Sequence, residues 1–173
     1  MQDVNVVVVF YSRTGSTERL ALAAAVGAVQ GRANIWLRRL TDSADEATIE
    51  SDPAWKENLA RMNKEFVAPR EADAVWADAI VLGTPGGADT LSTEFKRYFD
   101  TLHALRAQGK LEGKIGAVFT QGSSADSLYK AIGGLGFKTV PAITNPDLQD
   151  AARLQGRAVA DAARSLRTAR AAV

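Results

Sequence analysis

The chain has 173 residues, of which 46% are hydrophobic and 24% charged, and its formal net charge is +1. This length suits one ordinary domain with a buried core, and so small a net charge excludes a broadly basic surface that would recruit nucleic acid. The absence of cysteine excludes disulfides, thiolate metal sites and a cysteine nucleophile.

The N-terminal segment indicates a strand and not a targeting signal. "MQDVNVVVVF" lacks a basic start and a small-residue cleavage site, and its apolar run is far too short to cross a membrane. Residues 4–11 are apolar apart from Asn5 and mostly β-branched, as in a strand buried on both faces. Because the chain also lacks cysteine, we expect a soluble, cytoplasmic protein that binds neither membranes nor nucleic acid.

Strands and helices alternate along the rest of the chain. Further strands are predicted at residues 33–40, 79–84, 113–120 and 137–140. Helices are predicted at residues 16–30, 92–105, 125–135 and 147 to about 170. Such alternation implies right-handed crossovers and a parallel sheet covered on both faces, so five strands predict a doubly wound α/β fold.

Residues 41–70 interrupt this alternation as a polar insertion. The insertion begins acidic and then contains a predicted helix over residues 53–66. Four apolar side chains fall on one side of that helix: Trp55, Leu59, Met62 and Phe66. We therefore expect the helix to dock on the rest of the protein. Because no linker or repeat is visible, residues 1–173 are predicted to form a single domain.

The turn after the first strand, "SRTGST", contains four hydroxyl residues in six positions: Ser12, Thr14, Ser16 and Thr17. It joins the carboxyl end of a buried strand to a helix N-terminus, which is where open α/β sheets bind ligands. A helix N-terminus offers unpaired N–H groups, and Gly15 lets the backbone close around a ligand. These features predict a site for a terminal phosphate. The simpler alternative is that Ser16 or Thr17 is only a helix N-cap.

Two other phosphate motifs are absent from the chain. There is no G-x-x-x-x-G-K-[ST] sequence, which disfavours triphosphate chemistry. There is also no G-x-G-x-x-G sequence after the first strand, which disfavours the dinucleotide fingerprint.

The segment "VVVVFYSRTGSTERLALAAAVGA" resembles the first strand, phosphate loop and first helix of flavodoxin-like FMN proteins. Other segments are similar to one branch of them, the WrbA-type NAD(P)H:quinone oxidoreductases. "ADAIVLGTP" resembles their third strand, "STEFKRYFDTL" with "GKLEGKIGAVFT" their third helix and fourth strand, and "LQDAARLQGRAVADAARSL" their final helix. The resemblance implies a flavodoxin-like five-stranded sheet of order 2-1-3-4-5.

The resemblance also implies FMN as the cofactor. Its phosphate is expected on Ser12, Arg13, Thr14, Gly15, Ser16 and Thr17. Its isoalloxazine ring is expected between two loops that follow buried strands: Thr84, Pro85, Gly86, Gly87, Ala88 and Asp89 in the first, and Thr120, Gln121, Gly122 and Ser123 in the second. Each of these loops, taken alone, is equally consistent with an ordinary turn.

The activity that the resemblance implies is two-electron transfer from NAD(P)H to a quinone or similar acceptor, by a dimer or tetramer of the chain. No side chains form an evident acid–base pair, activated nucleophile or metal site, so the cofactor would carry the chemistry. Two alternatives stay open. A flavodoxin-type electron carrier is disfavoured by the near-neutral charge, and a flavodoxin-fold protein with weakened flavin binding would have a non-catalytic role.

Several positions depart from the pattern of the resembled family. Gly87 and Ala88 stand where that family has an arginine and an aromatic residue, and Arg106 stands where it has a tryptophan. The histidines that the family has before its fifth strand are absent from this chain. The long insertion that the family has after that strand is replaced here by the short segment "AITNPDLQD". Loss of aromatic stacking is expected to weaken flavin binding by about 0.5–1.5 kcal/mol.

Overall fold

The computed structural model of the chain describes residues 3–85, 90–121 and 125–172. Its strands are Val4–Phe10 (β1), Ala33–Arg39 (β2), Ala79–Thr84 (β3), Ile115–Thr120 (β4) and Lys138–Thr139 (β5). They form one sheet in the order β2-β1-β3-β4-β5, and every neighbouring pair is parallel. The predicted fold class and strand order are therefore confirmed.

The helices are Ser16–Gln30 (α1), Glu46–Glu50 (α2), Pro53–Glu65 (α3), Glu71–Trp76 (α4), Thr93–Ala107 (α5), Asp126–Gly134 (α6) and Leu148–Ala171 (α7). The predicted helices agree with α1, α3, α5, α6 and α7 to within two residues at each end. The sequence did not predict α2 and α4, which are five and six residues long. No helix among the described residues combines the length and the apolar character that crossing a membrane requires.

The valines of β1 form part of two hydrophobic cores, one on each face of the sheet. Val7 and Val9 pack in the core that includes side chains of α5 and α6. Val6 and Val8 pack in the core that includes side chains of α1 and α7. Because β1 is paired on both sides and covered on both faces, its carboxyl end is held in a fixed position within the sheet.

Helix α1 packs against α7 through two glycines at which the helix backbones touch. A Cβ atom on Gly156 would lie 1.9 Å from the carbonyl oxygen of Ala24, and one on Gly27 would lie 1.8 Å from the carbonyl oxygen of Arg153. No larger side chain fits at either position without moving a helix. This contact fixes α1, and with it the turn that precedes α1, relative to the sheet.

Gly156→Ala is expected to lower the free energy of unfolding by about 1–3 kcal/mol, because the added methyl group forces α1 and α7 apart. The matched control is Gly133→Ala in the last turn of α6, where a Cβ would meet nothing within 4 Å. That control is expected to be neutral or to stabilise by up to about 1 kcal/mol. Urea unfolding measures the free energy of unfolding of both variants. Equal effects of the two substitutions would contradict the close contact between α1 and α7.

Candidate functional site

A cavity of about 440 Å³ opens at the carboxyl ends of β1, β3 and β4. This volume lies within the range of about 300–1,000 Å³ that is usual for small-molecule sites. The residues around it are Tyr11, Ser12, Arg13, Thr14, Ser16, Thr17, Thr84, Pro85, Thr90, Leu91, Ser92, Phe95, Gln121, Ala125, Ser127 and Leu128. The cavity thus brings residues from three predicted loops together, as expected for the edge of an open α/β sheet.

Residues 12–17, which we call the hydroxyl loop, connect β1 to α1 with a left-handed residue at the helix start. Gly15 is the N-cap residue of α1 and has φ 95° and ψ −4°. Its N–H donates to Oγ of Ser12 over 3.1 Å, which closes the loop. No side chain caps α1, so the alternative interpretation of Ser16 or Thr17 as the N-cap is wrong.

The first turn of α1 consequently presents hydrogen-bond donors to the cavity. The first N–H groups of an α-helix have no partner within the helix, and they lie at the positive end of its dipole. The side chains of Thr14 and Ser16 line the cavity, and among the described residues neither hydroxyl is hydrogen-bonded. Backbone amides, hydroxyls and the positive end of a helix dipole at one point are the combination of groups that suits an anion.

Behind the hydroxyl loop lies a buried ion pair between Arg39, at the end of β2, and Asp42. The Nη2 of Arg39 donates to Oδ2 of Asp42 over 2.7 Å and to the carbonyl oxygen of Ser12 over 2.8 Å. The other carboxylate oxygen of Asp42 accepts from the hydroxyl of Tyr11 at 3.1 Å and from Nε1 of Trp55 at 3.0 Å. The two charged side chains are only 3% and 5% exposed.

The side chain of Arg13 takes part in the same network. Its Nε donates to the hydroxyl oxygen of Tyr11 over 3.2 Å, and its guanidinium carbon lies 4.4 Å from the centre of a Trp55 ring. Burial raises the pKa of Tyr11 to about 12, although the hydrogen bond from Arg13 opposes this shift. Arg13 lines the cavity, its guanidinium is held against Trp55, and its contact with the phosphate stays a prediction.

Helix α3 docks beside the hydroxyl loop, as the apolar side of the predicted helix indicated. Trp55 and Met62 are buried, and the ring of Phe66, just after α3, meets that of Phe10 edge-on at 5.1 Å. Arg61 donates to both carboxylate oxygens of Glu18 in the first turn of α1, over 2.9 and 2.6 Å. Because a carboxylate there would repel a bound anion, its pairing with Arg61 reduces that repulsion.

The segment after Asp42 also reaches the opposite wall of the cavity. The N–H and hydroxyl of Ser43 both donate to Oε1 of Glu94 in the first turn of α5. Burial alone would raise the pKa of Glu94, but hydrogen bonds from Ser43, from Ser92 and from the backbone of Glu94 together lower that pKa. Residues 42 and 43 therefore connect the hydroxyl loop to the start of α5.

The structure brings only some of the predicted ring-binding residues to the cavity. Thr84, Pro85 and Gln121 line it. Thr120 ends β4 but lines a second cavity of about 70 Å³ beside α7, where its buried hydroxyl has no partner among the described residues. Other predicted ring contacts lie outside the described residues: Gly86, Gly87, Ala88, Asp89, Gly122 and Ser123.

Sequence reasoning missed one wall of the cavity. Leu91, Phe95 and Leu128 form apolar lining at the starts of α5 and α6, together with the polar residues Thr90, Ser92 and Ser127. Phe95 and Leu128 are buried and also belong to a hydrophobic core. Their helical spacing indicates a core role, and no local signal distinguishes a core residue that also borders a cavity.

Comparison with known proteins gives relatives in sequence and in structure. No family model matches the chain. A protein of Archaeoglobus fulgidus named NAD(P)H dehydrogenase (quinone) is 32% identical over 115 residues, which are 66% of this chain and 60% of that protein. A protein of Rhizobium meliloti named NAD(P)H dehydrogenase (quinone) 3 is 34% identical over 117 residues, which are 68% of this chain and 52% of that protein. The chain thus matches between about half and three fifths of the length of these relatives.

The structural comparison concerns the fold. The crystal structure of the flavodoxin, WrbA-like protein from Agrobacterium tumefaciens matches with a TM-score of 0.64 and 24% sequence identity. The match covers 94% of this chain and 99% of that one. The fold is therefore flavodoxin-like over nearly the whole chain.

We expect none of the three tyrosines, Tyr11, Tyr98 and Tyr129, to ionise at its ordinary pH in the folded protein. Burial raises the pKa of Tyr11 to about 12 and also raises the pKa of the other two. Unfolded tyrosines ionise near pH 10, so the stability that these groups contribute is present below about pH 10 and is lost as the pH rises towards 12.

Near-ultraviolet absorbance of tyrosinate, recorded for native and urea-unfolded protein, measures this difference. At about pH 10 the unfolded chain is expected to show half of its full tyrosinate signal and the native chain clearly less. Tyr11→Phe serves to assign the contribution of Tyr11. A native titration in which one tyrosine in three ionises near pH 10 would contradict the buried position of that residue.

Proposed function

The chain is a flavodoxin-like homologue of the proteins named NAD(P)H dehydrogenase (quinone), and on that premise we propose that it is an FMN-dependent oxidoreductase. The proposed reaction transfers two electrons from NAD(P)H to a quinone or similar acceptor. The observation that carries the proposal is the uncapped N-terminus of α1, which opens into a cavity of suitable size for a small molecule. This arrangement supports a cofactor that ends in a phosphate.

The hydroxyl loop fits the phosphate of FMN by its chemistry. A phosphate dianion needs several donors around its oxygens, and hydrogen bonds to an ionised acceptor are about twice as strong as neutral ones. The amides at the start of α1 and the hydroxyls of Thr14 and Ser16 supply such donors without a lysine. Gly15, at φ 95°, gives the loop a left-handed turn that other residues rarely adopt.

The rest of the cavity fits a flat ring system with polar edges. Leu91, Phe95 and Leu128 would contact its apolar part, and Thr84 and Gln121 would face its polar edge. Residues 86–89 and 122–123 complete the proposed ring contacts. When bound, FMN supplies the chemistry of accepting a hydride and passing two electrons on. The chain's part is to bind and orient the cofactor and to exclude water from it.

The near-neutral charge of the chain favours two-electron transfer over a carrier role. Its net charge of +1 differs from the strongly acidic surface by which a carrier is steered to a basic partner.

The proposal extends to assembly and location: more than one copy of the chain associates, and the protein is cytoplasmic. Helix α1 exposes three apolar side chains at helical spacing, Leu22, Val26 and Val29. Exposed apolar patches of this kind are common at protein contacts, which supports association.

FMN added to the purified protein is expected to bind, and substitutions in the hydroxyl loop are expected to weaken that binding by about 100-fold. Thr14→Glu places a like charge beside the phosphate, and Gly15→Val blocks the left-handed turn. Quenching of FMN fluorescence measures the affinity.

Two substitutions away from the cavity serve as matched controls. Thr168→Glu adds the same charge on α7, and Gly109→Val places the same side chain at another left-handed glycine, at φ 71°. Both are expected to keep the wild-type affinity for FMN. Equal affinity in all four variants would show that the phosphate does not bind the hydroxyl loop.

FMN-loaded protein is expected to lose its yellow colour in anaerobic excess NADH or NADPH and to regain it on addition of a quinone. Absorbance spectroscopy follows both steps. A flavin that stays yellow with both nucleotides would contradict the proposed enzyme. Reductive titration through a stable state that holds one electron per protein would favour the carrier instead, and the absence of FMN binding would favour a non-catalytic role.

A further inference from the structure

We propose that Arg39 and Asp42 are positioning residues that orient the hydroxyl loop for the phosphate of FMN. This inference rests on the proposed function, and it concerns two side chains that do not line the cavity themselves. It assigns a binding role to the start of the 41–70 insertion, which carries Asp42.

Arg39 contacts the backbone of the hydroxyl loop directly. Nη2 of Arg39 donates to the carbonyl oxygen of Ser12, 27 positions earlier in the chain, over 2.8 Å. In a trans peptide the carbonyl of one residue and the N–H of the next point in opposite directions, and the described chain holds no cis peptide. With the carbonyl of Ser12 fixed towards Arg39, the N–H of Arg13 points away from Arg39, on the side available to a ligand.

Asp42 fixes the guanidinium of Arg39 in place. Its carboxylate accepts one hydrogen bond from Arg39 and two more from Tyr11 and Trp55. Tyr11 is the residue that immediately precedes the hydroxyl loop, and Trp55 belongs to α3. Asp42 therefore connects the guanidinium that holds the loop both to the residue that follows β1 and to the docked helix.

The burial of the Arg39–Asp42 pair has a cost in free energy. Burying an ion pair costs desolvation free energy, and such pairs are often no more stabilising than apolar residues of the same size. The Nε of Arg39 is buried without a hydrogen-bond partner among the described residues, which adds to that cost. The Arg39–Asp42 pair costs free energy to bury, and Arg39 donates to the carbonyl oxygen of Ser12. Orientation of the hydroxyl loop explains the pair better than stabilisation of the fold does.

The chain offers a matched comparison one residue earlier in β2. Arg38 pairs with Asp73 over 2.7 Å, and the carboxylate of Asp73 is fully buried. That pair contacts α4 and the backbone N–H of Arg70, but none of the described residues of the hydroxyl loop or the cavity. Substitution of Asp73 thus removes a buried partner of an arginine without touching the proposed phosphate site.

The test compares the affinities of FMN and riboflavin, which has the same ring and no phosphate. Asp42→Asn keeps the size of the side chain but leaves one acceptor oxygen in place of two. The single oxygen cannot accept hydrogen bonds both from Arg39 on one side and from Tyr11 and Trp55 on the other. Arg39→Met removes the donor to Ser12. In both variants FMN binding is expected to weaken about tenfold while riboflavin binding stays within about twofold of wild type. Inorganic phosphate should also compete less well with FMN in them.

Two further variants separate positioning from stability. Asp73→Asn is expected to lower the melting temperature without changing the ratio of the two affinities. Arg39→Lys keeps the charge and can donate to both partners, so its ratio is expected to lie between those of wild type and Arg39→Met. If Asp42→Asn and Arg39→Met fail to fold, the ratio of the FMN and riboflavin affinities in Arg39→Lys is the test of the positioning role.

The outcomes distinguish this inference from the proposed function. A wild-type protein that binds neither FMN nor riboflavin would contradict the proposed function. A wild-type protein that binds FMN, with a wild-type affinity ratio in every folded variant at Arg39 and Asp42, would overturn the positioning role alone. A ratio that falls equally in Asp73→Asn would also overturn it, because the loss would then follow from general destabilisation.

Discussion

The unpaired amides at the start of α1 are the constraint on which the rest of the site depends. Helices α3 and α7 begin with Asp52 and Asp147, whose carboxylates accept hydrogen bonds from the first N–H groups. Helix α1 begins with a glycine that has no side chain to offer. Among the described residues no side chain caps this helix start, and since polar groups withdrawn from water need partners, water or an anion from outside the chain would complete it.

The surroundings of that helix start favour an anion. Arg61 pairs with Glu18, the carboxylate in the first turn, and Arg39 with Asp42 holds the backbone of the preceding loop from behind. Both arrangements involve the segment between β2 and β3, which in sequence is a polar interruption of the alternating pattern. In the structure this segment forms the outer support of the hydroxyl loop and, through Ser43, reaches the other side of the cavity.

The sequence alone predicted the regular sheet and the main helices, because buried valines and helical spacing are strong local signals. It missed α2, which buries no residue and so has no periodic pattern. Arg39 and Asp42 escaped notice because their importance comes from contacts with Ser12 and Trp55, which are distant along the chain. The resemblance implied that Arg13 contacts the phosphate, and this stays a prediction; the contact of its guanidinium with Trp55 is one that the sequence did not indicate.

The glycine contact between α1 and α7 determines which parts of this scaffold are free to change. With backbone against backbone at Gly27 and Gly156, α1 has no room to slide or tilt towards a ligand of different shape. The start of α1 is therefore held at one position beside the cavity, so a change in the shape of the cavity has to come from residues that line it elsewhere, such as Leu91, Phe95 and Leu128.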